Sequence, residues 1–400
     1  MGMSDLSGLK LETNTDSDIF QKDVSEVFST KYLLDKHVSV GLDSTYVLLL
    51  DYNASKDTIA GALSNGNVSL YTSDLVKKES FKVHEDSITG LQFSPTEPNL
   101  FYTSSMDMEV KLWDLRIGGS QGPVKRFYDS SAKNPGGFHK PLTSFSVNAS
   151  ERFLTAGTEQ VRGESFLLFW DSRSEELLGG YWNTHIDDIT TLKYHTSDPN
   201  KLASGSVDGV VNVYDISQPT EDEALIEATN TESSVQKIKW FNKESEDSLA
   251  IITHTEDVYL WRVSDSCPAQ IFKRDQITNL GLRRSSVESA YVVDVHPSLD
   301  NPLFFLCGSR CPNNSCLRVS YPKKSKLKPY SDLKSSKIRN ELVRCSIMNE
   351  STGDIVTGNE SGIIAKWSTA DKGENNSCDN DAVSAKMSGS SKSSRKFKPY

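Results

Sequence analysis

Residues 84–91 (HEDSITGL) and residues 185–192 (HIDDITTL) begin two copies of one repeat. In both copies an aspartate follows the histidine by 23 residues, and an aromatic residue follows it by 29. A residue with a hydroxyl side chain also recurs between the histidine and the aspartate of each copy. The matching positions are Thr103 and Ser204, Asp107 and Asp208, and Trp113 and Tyr214. Four positions that keep their register across two copies indicate a structural repeat.

The aromatic residue that closes the repeat recurs along the rest of the chain. The closing positions are Tyr71, Trp113, Trp170, Tyr214, Trp261 and Trp367, with a degenerate unit that ends near residues 319–320. A recurrence of about 40–45 residues, with insertions, is the period of a four-stranded propeller blade. We count seven units. Each unit alone exposes a hydrophobic face, so the units must stack, and a closed ring leaves no end uncovered.

Strand signals dominate the sequence between these positions. Short alternating or β-branched segments such as residues 110–113 and 210–214 are bounded by Gly, Asn or Asp, and no helical stripe lasts for three turns. We expect residues 32–34 (YLL) to complete the last blade and close the ring. The prediction is an all-β, seven-bladed propeller over residues 31–368. A disordered acidic lead-in (1–30) and a disordered Ser/Lys-rich tail (369–400) flank it.

The repeat resembles the WD-repeat (WD40) family, and the resemblance is densest over about residues 140–226. It implies a buried relay in which the aspartate orients the histidine, whose other nitrogen meets the hydroxyl, which in turn meets the indole N–H. Each member needs its partner, because an unsatisfied polar group costs roughly 1–3 kcal/mol between blades. The relay residues are His84, Thr103, Asp107 and Trp113 in one copy, and His185, Ser204 and Asp208 in the other. Tyr214 replaces tryptophan there, so the fourth link stays open.

Composition bounds the class of partner and the compartment. The chain has 400 residues, 36% of them hydrophobic, and 44 basic against 54 acidic side chains, a net charge of -10. Net negative charge disfavours direct binding to nucleic acid or anionic membranes and favours basic partners. Six cysteines are too few for a disulfide scaffold, and we find neither a signal-peptide pattern nor an 18-residue apolar run. We expect an intracellular chain, in the nucleus, the cytoplasm or both, that is not secreted.

Catalytic and metal-binding patterns are weak. Residues 118–122 match G-x-S-x-G, but Ser120 stands in a Gly-rich loop without the strand-to-helix turn that an esterase nucleophile needs. Cys307, Cys311 and Cys316 follow His296, yet no second short-spaced pair of zinc ligands accompanies them. We therefore predict no catalytic residue, no cofactor and no metal, and we expect that the chain is not an enzyme.

Two acidic or basic features are candidates for partner docking. The segment with Glu221, Asp222 and Glu223 continues to Glu232 without a Lys or Arg, which suits a basic partner or simply a solubilising loop. Basic residues gather instead at 323–339 and in the last nine residues. They suit nuclear import, docking to RNA-rich assemblies, or a solvated loop and tail.

The third candidate is a pair of W-D-x-R endings that contain Arg116 and Arg173. In the WD-repeat family this ending resembles the motif by which some propellers dock to the adaptor of cullin-4 ubiquitin ligases. Each arginine could instead bind the aspartate of its own blade.

These features favour a non-enzymatic scaffold that mediates protein–protein interactions. Two alternatives stand beside it: a substrate receptor of a cullin-4-type ubiquitin ligase, and an escort of a basic protein or ribonucleoprotein during assembly. The identity of the partner and the face of the ring that binds it stay open.

Overall fold

A computed structural model describes residues 30–41, 45–130, 138–243, 246–279, 290–297, 303–309, 316–335 and 341–369. Within these residues, 28 strands form seven four-stranded blades; five are separate antiparallel sheets, and the last two are joined edge to edge in one eight-stranded sheet. The seven-bladed all-β propeller predicted from the repeats is thereby confirmed. The lead-in and the tail that we predicted lie outside the described residues, apart from their innermost positions.

The strands of each blade follow one another from the inside of the ring to its outside. The first strand of the chain, β1 (Thr30–Ser39), belongs to the last blade. Blade 1 contains β2 (Val47–Asn53), β3 (Thr58–Leu63), β4 (Asn67–Tyr71) and β5 (Lys77–Lys82). Blade 2 contains β6 (Ile88–Phe93), β7 (Leu100–Ser105), β8 (Glu109–Asp114) and β9 (Lys125–Tyr128). Blade 3 contains β10 (Leu142–Val147), β11 (Phe153–Thr158), β12 (Leu167–Asp171) and β13 (Leu177–Tyr181).

The second half of the ring has the same plan. Blade 4 contains β14 (Thr191–Tyr194), β15 (Lys201–Gly205), β16 (Val210–Asp215) and β17 (Leu225–Asn230). Blade 5 contains β18 (Val235–Lys243), β19 (Glu246–Thr253), β20 (Val258–Arg262) and β21 (Gln270–Phe272). Blade 6 contains β22 (Ala290–His296), β23 (Phe304–Ser309), β24 (Leu317–Lys323) and β25 (Lys326–Lys334). Blade 7 contains β26 (Val343–Met348), β27 (Ile355–Asn359), β28 (Ile363–Thr369) and β1.

Short helices occur only between strands in the described part of the chain. They are α1 (Glu221–Ala224), α2 (Arg274–Asn279) and the 3-10 turns Ala54–Lys56 and Gly119–Gln121. The outermost strand of a blade follows its closing aromatic, so blade 1 extends beyond Tyr71 to Lys82. The sequence repeat and the structural blade are therefore offset by one strand.

The ring is closed by the first strand of the chain. β1 pairs antiparallel with β28, where Leu34 lies opposite Trp367, and also pairs in parallel with β25, where Tyr32 lies opposite Leu333. The expectation that residues 32–34 complete the last blade is confirmed. Because β1 pairs on both sides, the hydrogen-bonding groups along its two edges face partners rather than solvent.

The hydrophobic core lies between adjacent blades. The closing aromatics are all buried, with Trp170, Trp261 and Tyr214 fully inside. Glycine in the second strand lets the next blade approach. A Cβ at Gly157 would lie 2.6 Å from Ile189, and one at Gly205 would lie 2.6 Å from Val235. The repeat thus uses small residues where blades meet and large aromatics where each blade ends.

Candidate functional site

The four relay residues of blade 2 form one continuous chain of hydrogen bonds. His84 Nδ1 lies 2.8 Å from Asp107 Oδ2, and His84 Nε2 lies 2.8 Å from Thr103 Oγ1. The indole Nε1 of Trp113 donates to the same Thr103 oxygen at 2.9 Å. An indole N–H can only donate and a carboxylate can only accept, so Trp113 donates to the Thr103 oxygen and Nδ1–H of His84 donates to Asp107.

The relay also shapes the turn between β7 and β8. Asp107 accepts from the backbone N–H of Glu109 at 3.2 Å, and Met108 between them has a φ of 70°. Burial by itself raises the pKa of Asp107. The hydrogen bond and the electrostatic attraction from His84, followed by the charge of Lys111, outweigh burial and hold that pKa below its ordinary value. The aspartate is therefore ionised at neutral pH and fixes both the turn and the ring of His84.

Blade 4 repeats the relay with a different last member. His185 Nδ1 lies 3.1 Å from Asp208 Oδ2, and Nε2 lies 2.7 Å from Ser204 Oγ. The Tyr214 hydroxyl is 3.3 Å from Ser204 Oγ and donates to Thr184 Oγ1 at 2.9 Å. A phenol thus occupies the link that the sequence left open. Because His84 and His185 are 1% and 3% exposed, both relays lie inside the ring rather than at its surface.

Both candidate arginines fold back onto the aspartate of their own blade. Arg116 Nε lies 2.9 Å from Asp114 Oδ1, and Arg173 Nε lies 2.9 Å from Asp171 Oδ1. The second bond of each pair runs from Nη2 to Oδ2, at 2.5 and 2.6 Å. The guanidinium of Arg173 holds the pKa of Asp171 well below its usual range. Both arginine side chains are about two-thirds exposed, at 66% and 68%.

The acidic segment is partly helical, contrary to the expectation of a loop. Thr220 caps α1, because its hydroxyl oxygen accepts from the backbone N–H of Glu223 at 3.3 Å. Three acidic residues in the first turn also suit the positive end of the helix. The Glu221 carboxylate faces blade 3, where it accepts from the backbone N–H groups of Trp182 at 3.0 Å and Asn183 at 2.8 Å. Asp222 and Glu223 are exposed.

Trp182, which sequence reasoning did not single out, lies beside this helix. Five of the six tryptophans are at most 6% exposed, whereas Trp182 is 51% exposed. Leu225 and Ile226, which follow the helix directly, are 37% and 44% exposed. We name these residues together the acidic–aromatic surface: Trp182, Glu221, Asp222, Glu223, Leu225 and Ile226. One sequence signal could have indicated an exposed tryptophan, because Trp182 does not occupy the closing position of a repeat. Trp240 does not occupy it either, however, and is buried.

The remaining candidates that the structure describes are not brought together into one site. Burial raises the pKa of the Cys307 thiol, Cys316 is half-buried, and Cys311 lies outside the described residues. His296 Nε2 lies 2.8 Å from Ser346 Oγ. No group of three or more His, Cys, Asp or Glu suited to a metal occurs among the residues that the structure describes. Ser120 stands in the 3-10 turn Gly119–Gln121 rather than between a strand and a helix. No helix of the described segments has the length and hydropathy of a membrane span.

Comparison with known proteins defines the class. The family model for the WD domain, G-beta repeat matches residues 75–114 and 178–215, which cover the greater part of blades 2 and 4. The chain therefore carries WD40 repeats and has the fold of a WD-repeat β-propeller, a class whose members are generally non-catalytic scaffolds for protein interactions. The family resemblance found in the sequence is confirmed.

Three curated relatives are similar to this chain. It is 24% identical to the WD repeat-containing protein 89 homolog of Dictyostelium discoideum, over 90% of this chain and 94% of that protein. It is 25% identical to the WD repeat-containing protein GTS1 of Arabidopsis thaliana, over 73% and 71%. It is 24% identical to the human GATOR2 complex protein WDR24, over 65% of this chain and 30% of that protein.

Proposed function

We propose that this chain is a non-enzymatic intracellular scaffold that binds a basic protein through the acidic–aromatic surface. The observation that carries the proposal is Trp182, whose side chain is half exposed and whose backbone N–H donates to Glu221, the first of three consecutive acidic residues. Exposed tryptophan is the residue type that most often dominates a protein interface. The nuclear or cytoplasmic location is part of the same proposal.

The charge around Trp182 selects the partner. No Lys or Arg lies between Gln218 and Ser234, while Asp222 and Glu223 are exposed next to the apolar side chains. Carboxylates at the rim of an apolar contact raise the association rate of a basic partner and repel acidic proteins. A segment that serves only solubility has no need of exposed Leu225 and Ile226 beside it.

The surface is also ordered before binding. Glu221 uses its carboxylate on two backbone N–H groups of the loop that carries Trp182, so this loop and α1 are held together across the blade boundary. A partner would not have to order either segment, which lowers the entropic cost of association.

The test is affinity purification of the full chain beside surface variants. We expect the recovered partners to have a net positive charge, and Trp182→Ala to weaken their binding by about 2 kcal/mol, roughly thirtyfold. Asp222→Lys should also weaken the binding of these partners, and its effect should grow as the salt concentration falls. The matched controls are Ile271→Ala, an exposed apolar residue on β21, and Glu164→Lys, an exposed acid between β11 and β12. Partners that bind Trp182→Ala and the control variants equally would contradict the proposal.

A second candidate, the cullin-4-type ligase receptor, is favoured by the arrangement of the two arginine turns. Lys125 Nζ of blade 2 donates to the carbonyls of Ser172 and Arg173 in blade 3, at 2.8 and 3.1 Å, so the blade that carries Arg116 is tied to the turn of Arg173. Replacing Arg116 and Arg173 together by Ala should remove co-purification of the ligase adaptor, whereas Arg152→Ala should not. Undiminished recovery of the adaptor from the double variant would exclude this candidate.

A further inference from the structure

The inner strands of all seven blades surround a central channel that contains charged side chains. Two adjoining cavities of about 330 and 550 Å³ occupy it, and both are lined by Asp51, Lys193 and Lys239. Lys237 and Asp294 line the smaller cavity. The larger one opens toward the loops between the first and second strands of the blades, with Glu350 exposed at its rim.

Four of the five charged groups inside the channel have a partner. Lys239 Nζ lies 3.5 Å from Asp294 Oδ1, and Lys237 Nζ donates to the Val293 carbonyl at 2.7 Å. The two oxygens of Asp51 accept from the backbone N–H groups of Tyr52 and Phe93, at 2.9 and 2.7 Å. These contacts satisfy both carboxylates and two of the three ammonium groups.

Lys193 is the exception. Among the described residues, its ammonium makes no hydrogen bond and no ion pair within 4.0 Å, although its side chain is exposed to the channel. Burial lowers the pKa of Lys193, and the positive charge of Lys239 adds to that effect while Asp51 opposes it. The Lys193 ammonium is therefore open to the channel and free to pair with an anion that enters it.

The charge count of the channel sets the kind of anion. Three lysines face two aspartates, because Lys193, Lys237 and Lys239 oppose Asp51 and Asp294. His296 adds no charge at neutral pH, since burial and the charge of Lys239 lower its pKa to about 3. One positive charge is left over among these inner groups, and Glu350 at the rim of the larger cavity is one further acid, so the channel suits a ligand with no more than one negative charge.

The side chains that line the larger cavity indicate the chemistry of the remainder of the ligand. Tyr194, Trp240 and Ile347 line it near Lys193, and its size lies in the usual range of ligand pockets, roughly 300–1,000 Å³. We propose that the channel binds a carboxylate attached to an apolar body, with the Lys193 ammonium as the group that holds the carboxylate. Either a small organic acid or the C-terminus of a peptide would supply this chemistry.

Calorimetric titration of the full chain tests the site with defined probes. We expect octanoate to bind and octanamide to bind about tenfold more weakly or worse, because only the acid pairs with the ammonium. A hexapeptide that ends in leucine, with a free or an amidated C-terminus, forms the second arm. Tighter binding of the free-acid peptide than of octanoate would assign the carboxylate to a peptide, and the reverse order to a small acid.

Variants locate the binding in the channel. Lys193→Gln should reduce the affinity for the better probe about tenfold or more, whereas Lys77→Gln, an exposed lysine on the outer strand β5, should leave it unchanged. The proposal fails if neither carboxylate binds the wild-type chain. It also fails if Lys193→Gln binds as tightly as the wild type, or if inorganic phosphate binds more tightly than both acids.

A measurement without ligand separates this role from a structural one. Removing a cation that has no partner should not cost stability, so we expect Lys193→Met to unfold at the same or a higher temperature than the wild-type chain. A lower unfolding temperature would show that Lys193 supports the fold, and would contradict its assignment as a ligand group.

Discussion

Blades 2 and 4 contain the same relay but end it in different ways. In blade 2 the Trp113 indole donates to Thr103 at 2.9 Å and needs no other acceptor. In blade 4 the smaller Tyr214 leaves a longer contact of 3.3 Å to Ser204, and its hydroxyl donates instead to Thr184. The position of Thr184 is held in blade 2 by Val83, which has no side-chain acceptor. In these two blades the aromatic and the residue before the histidine therefore differ together, because the Tyr214 phenol uses Thr184 as its acceptor.

The two blades also differ two residues before the closing aromatic. Lys111 Nζ donates to the Val83 carbonyl at 3.1 Å and lies 3.5 Å from Asp107 Oδ2. In blade 4 the amide of Asn212 donates to the Thr184 carbonyl at 3.0 Å. The same backbone carbonyl is satisfied in both blades, once by an ammonium and once by a neutral amide. Blade 2 thus adds a charge to its relay that blade 4 lacks.

The largest expected effect is the difference in stability between removing the Thr103 hydroxyl and removing the Ser204 hydroxyl. Thr103→Val should leave both the His84 nitrogen and the Trp113 indole without a partner and reduce the free energy of unfolding by about 2–5 kcal/mol. Ser204→Ala should cost less, about 1–3 kcal/mol, because Tyr214 keeps its bond to Thr184. Urea unfolding of the two variants beside the wild type measures the difference. Equal losses would show that the indole bond contributes nothing beyond the histidine bond.

The next largest effect is on the stability of the fold at acidic pH. The pKa values of Asp107 and Asp208 both lie below the ordinary 3.8, so the stabilisation they give is complete above that pH and is lost as the pH falls through the lowered values. His84 and Lys111 face Asp107, whereas His185 faces Asp208. Asp107→Asn should therefore cost more at pH 7, since it also removes a partner of Lys111. Both asparagine variants should lose less stability than the wild type between pH 4 and about 2. An unchanged acid profile in either variant would contradict the ionised role of that aspartate.

The smallest effect tests the alternative acceptor. Tyr214→Phe removes one hydroxyl while the ring stays packed, and it should reduce the free energy of unfolding by about 0.5–1.5 kcal/mol. Thr184→Val should cost a similar amount, and the double variant no more than about the larger single loss, because both remove the same bond. A double-mutant cycle in thermal or urea unfolding measures this coupling. Additive losses would mean that the two hydroxyls act independently.

The propeller and the relays could be predicted because they rest on register and residue type. A repeat fixes which residues meet within a blade, and His84, Thr103, Asp107 and Trp113 needed only their spacing. The helix α1 was readable in principle, since Thr220 and Glu223 have the spacing of a capping box. Its acids instead suggested a loop.

The exposure of Trp182 and the orientation of the lysines toward the channel could not be predicted in the same way. Trp182 and Trp240 both lie outside the closing position, and only packing against the neighbouring blade decides that one is exposed and the other buried. Lys237 and Lys239 alternate on β18 as any half-exposed strand would. Whether such a face meets bulk water or a narrow channel depends on the closed ring of seven blades. The sequence of a single blade does not determine it.

The closing strand β1 has a consequence for how the chain is made. The Tyr32 hydroxyl donates to the Gly353 carbonyl at 2.9 Å, across 321 residues of sequence. At a synthesis rate of about 5–20 residues per second, β1 leaves the ribosome roughly 15–65 s before its partners on β28 exist. Six blades are complete by then, and each end of the unfinished arc has an exposed edge. A chaperone that covers β1 during this interval would protect the nascent chain when aggregation threatens it most.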